Sequence, residues 1–258
     1  AKIKDLVVTF NFTKNDALKN QVSRMDAVGL RLTNRMLGER CPIDAKILQK
    51  LKLTATEVPG VSLNLFTSDE ELNAVADILG EIDKIRLLEK IGHKDFIEEI
   101  RWTKEENEQK RDGVDLRTLD ITNTELAGLQ MSKDGRVMNL INEWKGGGAF
   151  KKLTKKSIDS AGAVGIILTN GGQHKDYING GLALEKVWLE ATLNGVAFQP
   201  MSASVFMFAR AKHGTDAYMS EKGVAQLKNL REQFEKTFAI GKGLTDIFIF
   251  RLSLTKEP

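Results

Sequence analysis

Several residue types that define common protein classes are scarce in this sequence. One cysteine, Cys41, among 258 residues excludes an internal disulfide framework and is typical of a reducing compartment. The three histidines share no metal-ligand spacing, so the sequence predicts no metal site. The longest apolar runs, near 163–168 and 205–209, are far too short to span a bilayer. We therefore expect a cytoplasmic protein that contacts no membrane.

Charge and length further limit the expected partners and the number of domains. The formal net charge is only +3, and no stripe of lysine and arginine with interleaved aromatic residues occurs, so nucleic acid is not an expected partner. A chain of 258 residues is long enough for one large domain or two small ones. Because the first residue is alanine, we expect either a processed chain or a piece of a longer, multidomain protein.

Apolar periodicity predicts a series of strands and helices. Strands are predicted at 3–12, 61–67, 163–169 and 247–252, the last of them central in its sheet. Helices are predicted at 13–32, 42–51, 68–88, 95–102, 177–193 and 220–238. Ser68 and Glu71 have the spacing of a capping box, which fixes the start of the third of these helices. Residues 103–156 read as a mixture of short segments with a charged run, a turn at 112–113 and a glycine joint at 146–148.

The stretch 177–203, YINGGLALEKVWLEATLNGVAFQPMSA, carries the first functional signal. It predicts a long helix that stops at Gly195, then a four-residue loop, Pro200 and a turn of small residues. The two glycines at 180–181 cost about 1 kcal/mol each relative to alanine inside a helix. They indicate that another helix or a flat ligand packs close to the backbone. The alternative is an ordinary buried helix with an ordinary stop.

A second signal is the segment RLTNR at 31–35. Arginine suits a phosphate group because its planar guanidinium donates two charge-assisted hydrogen bonds at once. A helix end with two arginines is, by itself, more often a solvated face. The segment lies early in the chain, just ahead of the helix that begins near Pro42.

Together the two segments resemble the FMN-dependent nitroreductase superfamily. The resemblance covers about 30–252 and is strongest to a branch that carries a lid, which includes domains fused behind ThiF-type adenylyltransferases. Stretches at 98–102, 112–114 and 126–129 match that branch. The resemblance implies an α+β, nitroreductase-like fold with a mixed, mostly antiparallel sheet flanked by helices. It also implies a single domain, 1–258, in which 103–156 is a lid-like elaboration.

The resemblance further implies an FMN site. Its phosphate would be held by Arg31 and Arg35, with Thr33 donating its hydroxyl group, while Arg251 stands near the place where relatives keep a further basic residue. The flavin ring would lie along Pro200, Met201, Ser202 and Ala203, with the amide of Ser202 or Ala203 facing N5. A backbone donor there stabilises the reduced ring without adding a group that titrates. No catalytic residue is predicted, because hydride transfer depends on positioning more than on a titrating side chain.

Two features depart from the family pattern. Relatives have a polar turn that contacts the flavin before the strand predicted at 61, whereas this chain has Glu57-Val58-Pro59-Gly60, so no contact is predicted there. Few basic residues follow the last strand, which leaves the phosphate site incomplete. The implied function is hydride transfer from NAD(P)H through FMN to a nitro compound or quinone, in a homodimer. The alternatives are a flavin-storing or regulatory module with a covered ring, and a flavin oxidase acting on a peptide heterocycle or on the flavin itself.

Overall fold

The computed structural model describes residues 22–214 and 219–255, together with positions 9 and 11. Apart from those two positions, the strand predicted at 3–12 lies outside the described residues, as does the first part of the helix predicted at 13–32. No helix in the described ranges combines the length and the apolar character needed to cross a membrane.

The described residues form short strands connected by helices. The helices are α1 Val22–Val28, α2 Ala45–Thr56, α3 Asp69–Leu88, α4 Lys90–Glu99, α5 Lys104–Lys110, α6 Asn123–Met131, α7 Gly135–Glu143, α8 Gly148–Asp159, α9 His174–Leu193, α10 Ala203–His213 and α11 Glu221–Thr237. The strands are β1 Val61–Phe66, β2 Ile100–Arg101, β3 Val114–Asp115, β4 Ala163–Asn170, β5 Ala197–Pro200 and β6 Leu244–Ser253.

The central sheet has the strand order β1-β4-β6-β5, and every neighbouring pair in it is antiparallel. The short strands β2 and β3 form a separate parallel pair. The predicted α+β class, with a mostly antiparallel sheet flanked by helices, is confirmed. The inner position predicted for the last strand is confirmed as well, since β6 lies between β4 and β5.

The two faces of the sheet bury different sets of helices, because successive strand residues point to opposite faces. Ile166 and Ile249 face a cluster formed with α3, α10 and α11. Ile167 and Phe250 face the other way, into a cluster formed with α2 and α9. Full burial of each such side chain contributes about 1.5–3 kcal/mol. The sheet is therefore held by apolar contacts on both sides.

The capping box predicted for the third helix is present in α3. The side chain of Ser68 accepts a hydrogen bond from the N–H of Glu71, while the Glu71 carboxylate accepts from the N–H of Ser68 at 2.9 Å. Glu71 also accepts from the N–H of Thr67. These contacts satisfy backbone donors that a helix start leaves without partners.

The region after α9 differs from its prediction. Residues 197–199, predicted as part of the four-residue loop before Pro200, form the edge strand β5 together with Pro200. Ala197 lies opposite Ser253, and Pro200 lies opposite Phe250. Proline is confined to positions such as a sheet edge, and a strand of four residues is too short to show the alternation that predicts strands. Residues 203–213 form α10, whereas the sequence predicted only a turn at 201–203 and no helix after it.

The segment 103–156 consists of short elements, as predicted, and its last helix packs along α3. Gly80 makes the close approach of α3 and α8 possible, because an added Cβ would lie 2.8 Å from Cγ of Lys151. Lys151 also forms ion pairs with Glu81 at 3.0 Å and Asp77 at 3.5 Å. The predicted lid-like segment thus contributes to the core at this end. Whether any part of it opens stays a prediction.

Candidate functional site

A cavity of about 300 Å³ lies where the turn between β5 and α10 meets α3 and α8. We call it the β5–α10 cavity. One part of its lining comes from Arg35 and 199–204, and another from α3 and from the elaboration. It brings together five of the residues predicted for the FMN site: Arg35, Pro200, Met201, Ser202 and Ala203.

The turn at 200–203 is fixed to the inner strand β6. The N–H of Met201 donates to the carbonyl oxygen of Ile249 at 2.8 Å. The Ser202 hydroxyl accepts from the N–H of Ile249 at 2.8 Å and donates to its carbonyl oxygen at 3.0 Å. The side chain of Ser202 is therefore occupied within the protein, which leaves only its backbone to contact a ligand.

The start of α10 has unused hydrogen-bond donors. Ser202 occupies the N-cap position without forming a side-chain cap. Within the described residues, the backbone N–H groups of Ser202, Ala203 and Ser204 donate to no acceptor. The first N–H groups of a helix need partners outside it, and their combined dipole favours negative charge. The turn can thus donate hydrogen bonds to an electron-rich ligand.

Ser204 adds an unmet hydroxyl group. It lines the cavity, is only 2% exposed, and its Oγ has no hydrogen-bond partner within the described part of the chain. A buried polar group left in this way costs about 1–3 kcal/mol. A ligand with a polar atom at this point would remove that cost.

Arg35 is a partly desolvated cation in the same cavity. It is half-buried, and burial lowers the pKa of its guanidinium. Across 22–214 and 219–255 it makes no hydrogen bond or ion pair. A guanidinium that has lost water and gained no protein partner is well suited to bind a phosphate or carboxylate.

The structure does not bring Arg31 into this cavity. Its Nε lies 3.1 Å from a carboxylate oxygen of Glu185, and its guanidinium lies 4.4 Å from the ring centroid of Trp188. Both partners belong to α9, on the other face of the sheet. Between the two arginines the chain crosses the sheet edge, where the N–H of Asn34 donates to the carbonyl oxygen of Phe198 at 3.0 Å.

Two further predicted site residues also lie outside the cavity lining. Thr33 is half-buried between the two arginines and does not line the cavity. Arg251 is fully buried and does not line the cavity either. Its Nη1 donates to Ser160 Oγ at 2.6 Å, its Nη2 donates to the carbonyl oxygen of Met36 at 2.8 Å, and its Nε donates to Gln199.

These contacts give Arg251 a different role from the predicted phosphate contact. Burial lowers its pKa to about 10, and no carboxylate lies within ion-pair distance among the described residues. Its donors already hold the segment after Arg35, the end of α8 and β5. Because Gln199 lines the cavity, Arg251 positions the wall of the site without reaching the ligand.

The sequence did not point to the polar groups on α3 and α8. Thr154 Oγ1 donates to Asp83 Oδ2 at 2.7 Å, and both residues line the cavity. Burial raises the pKa of Asp83, while the Thr154 hydrogen bond and the charge of Arg86 oppose that shift. A signal was present, since Asp83 lies four residues after buried Leu79 and four before buried Leu87. Helical periodicity places such a carboxylate on the buried side of α3.

The cavity wall also contains an ion pair from the elaboration. Lys156 Nζ lies 3.1 Å from Glu125 Oε2 and donates to the carbonyl oxygen of Asp120 at 3.1 Å. A carboxylate oxygen of Asp120 in turn accepts from the N–H of Leu37 at 3.1 Å. These bonds connect the elaboration to the segment that carries Arg35.

Comparison with known proteins gives the following relations. No family model matches the chain. An uncharacterized protein of Mycobacterium tuberculosis is 31% identical over 229 residues, which is 89% of this chain. The match takes in 31% of that protein, so the chain spans about a third of the length of this curated relative.

Solved structures that are similar to this chain include proteins described as nitroreductases or as nitroreductase-like. A nitroreductase-like protein from Bacillus cereus has a TM-score of 0.46 at 11% identity, covering 97% of this chain and 91% of its own. A nitroreductase with bound FMN from Bacteroides fragilis has the same score and identity, covering 94% and 90%. An NADPH:FMN oxidoreductase from Vibrio harveyi in complex with NAD⁺ has a TM-score of 0.45 at 8% identity, covering 91% and 70%. At identities this low, the activities of these proteins do not carry over to this chain.

Proposed function

We propose that this chain is an oxidoreductase that binds FMN at the β5–α10 cavity and transfers hydride from NAD(P)H to a small electron-poor acceptor, a quinone or a nitro compound. The observation that carries the proposal is the set of unmet polar groups in one cavity. These are the guanidinium of Arg35, the N–H groups at the start of α10 and the hydroxyl of Ser204. Each is a donor, so together they fit a ligand with a phosphate and several ring acceptors.

Each part of the site then has a distinct role. Arg35 holds the phosphate, and the amide of Ser202 or Ala203 donates to the ring. When bound, FMN supplies a group that accepts and returns two electrons as hydride. The fixed turn at 200–203 keeps its donors in place before the reaction, which is the arrangement that stabilises developing negative charge most. A phosphate role for Arg31 would require it to leave Glu185 and Trp188.

The size of the cavity bears on how FMN is enclosed. A volume of about 300 Å³ is at the lower end of the range for small-molecule pockets. We therefore expect bound FMN to extend beyond it.

A flavin-storing or regulatory module is the second candidate, and the lining of the cavity favours it. Leu129, Phe150 and Leu153, all from the elaboration, contribute apolar side chains to the wall. The Lys156–Glu125 ion pair and the packing of α8 on α3 hold that wall in place. If this wall stays closed over the ring, nicotinamide cannot stack on it and turnover fails.

Anaerobic mixing of FMN-loaded protein with NADH and with NADPH separates the two functions. Bleaching of the flavin absorbance by either nucleotide, reversed by adding a quinone or a nitroaromatic compound, is the expected result. Flavin that dithionite reduces but neither nucleotide touches, even after 104–145 is shortened, would establish the storage role instead. Failure of the wild-type protein to bind FMN would refute both.

A further inference from the structure

The proposed function leaves one carboxylate in the cavity without a role. Asp83 belongs to α3, and its side chain lines the same cavity as the turn at 200–203. Its only hydrogen bond within the described residues is the one that Oδ2 accepts from Thr154 Oγ1 at 2.7 Å. Oδ1 therefore has no partner there and is free to carry a proton. Asp83 is half-buried, and desolvation of a carboxylate with no ion pair favours its neutral form.

The charged groups around the cavity do not provide Asp83 with a counter-ion. Arg86, one turn further along α3, lies 3.7 Å from Glu99 and is the one cation that opposes protonation of Asp83. Lys156 pairs with Glu125, and Asp120 accepts from the N–H of Leu37. Arg35 is the remaining cation in the lining, and the proposed function assigns it to a phosphate.

We propose that Asp83 is the proton donor to the acceptor that is reduced in this cavity, a role that rests on the proposed function. A quinone that receives a hydride gains two electrons and one proton and becomes a hydroquinone anion with one negatively charged oxygen. The O–H bond at Asp83 Oδ1 then breaks, and a new O–H bond forms on that oxygen. Asp83 is left as a carboxylate and regains a proton from water. General acids of this kind contribute about 10²–10⁴-fold to rate.

Thr154 is the positioning residue in this arrangement. Its hydroxyl donates to Oδ2 and leaves Oδ1 as the oxygen without a partner among the described residues. Because a hydrogen bond to the carboxylate stabilises the charged form, Thr154→Val is expected to raise the pKa of Asp83 further. Thr154→Ser keeps the hydroxyl and is expected to leave the pKa of Asp83 unchanged.

The first test needs no cofactor. The protein is labelled with ¹³C at the aspartate carboxyl groups and titrated by NMR, and the signal lost in Asp83→Asn is assigned to Asp83. We expect this signal to titrate above the ordinary range for aspartate and to move further up in Thr154→Val. A signal that titrates in the ordinary range would overturn the proposal.

The second test follows the oxidative half-reaction. FMN-loaded protein, reduced anaerobically with NADPH, is mixed with a quinone across a range of pH. The wild-type rate should fall as pH rises through the pKa of Asp83, and Asp83→Asn should lower the rate at least about tenfold and remove that dependence. The reductive half-reaction and the affinity for FMN should stay unchanged, which also shows that the variant is folded.

Asp77→Asn provides the matched control, because Asp77 is exposed on the same helix, six residues earlier. It should leave both half-reactions as in the wild type. Asp83→Asn protein that binds FMN and retains the wild-type pH dependence would refute the role of Asp83 and leave the proposed function unaffected. Wild-type protein that binds no FMN would refute the proposed function, and the role of Asp83 with it.

Discussion

The two arginines of the RLTNR segment differ in what they contact, although they lie four residues apart. Arg31 stacks on Trp188 and pairs with Glu185, whereas Arg35 is half-buried in the cavity with no partner in the described part of the chain. The family resemblance implied a shared phosphate for them, but the chain crosses the edge of the sheet between them. Only the pairing of Asn34 with Phe198 of β5 reveals that crossing, and β5 was itself unpredicted.

Arg35→Ala is expected to weaken FMN binding at least about tenfold and riboflavin binding much less, because only FMN has the phosphate that a charge-assisted pair would hold. Fluorescence quenching of each flavin on titration with protein measures both affinities. Arg31→Ala is the matched control and should change neither affinity appreciably. Equal losses of FMN and riboflavin in Arg35→Ala would exclude the phosphate contact.

At the scale of secondary-structure elements, the long helices α3, α9 and α11 and the inner strands β4 and β6 were predictable from the sequence because their signals are local. The capping box at Ser68 and Glu71 and the apolar run of β4 depend on residues close in sequence. The glycine at 180 was also visible in the sequence as a sign of close packing, but the residue that packs against it was not. An added Cβ there would lie 2.7 Å from Ile247 Cγ2 of β6, so the glycine serves contact with the protein's own sheet.

The parts of the site that escaped prediction depend on contacts between distant residues. Arg251 was expected to face a phosphate, yet it bonds to Met36, 215 positions away in sequence. Asp83 was hidden among the other charged residues of α3, and Thr154, its partner, is 71 positions away. Arg35 and the turn at 200–203, which the sequence analysis assigned to one site, do line one cavity in the structure, and their role there stays a prediction.

The docking of α1 is expected to depend on pH. Glu57 accepts two hydrogen bonds from Arg24 of α1, at 2.6 and 2.7 Å, and one from Lys186 of α9 at 2.8 Å. The Arg24 hydrogen bond is the main reason that the pKa of Glu57 is lowered to about 2. A lowered pKa means that the stabilisation is present above the ordinary value of 4.5 and is lost as pH falls towards 2.

Hydrogen exchange across 22–28 measures this docking. In the wild type, protection should fall as pH drops from 4.5 towards 2, after correction for the intrinsic exchange rate. Glu57→Gln should lose part of that protection already at neutral pH, by a modest amount because the pair is partly solvated. Glu143→Gln, on α7, should behave as wild type. Full protection of α1 in Glu57→Gln would show that apolar contacts alone hold it.

At the scale of the whole molecule, the outer surface of α9 is the region most suited to contact another copy of the chain. Gly181 has open space where a side chain would stand, and Leu182 beside it is 50% exposed. Met25 of α1, the helix that packs on α9, is 72% exposed among the described residues. Exposed apolar groups on neighbouring helices are typical of an interface between subunits.

We therefore expect a homodimer that forms through α9, on the face of the sheet opposite the β5–α10 cavity. Leu182→Asp should shift the protein to monomer in light scattering. Leu140→Asp, a similarly exposed leucine on α7, should leave the dimer intact. Wild-type protein that remains a monomer over a wide concentration range would exclude this interface. Because a copy bound at α9 lies away from the cavity, we expect the elaboration at 103–156 to supply any further wall around FMN, as the storage role requires.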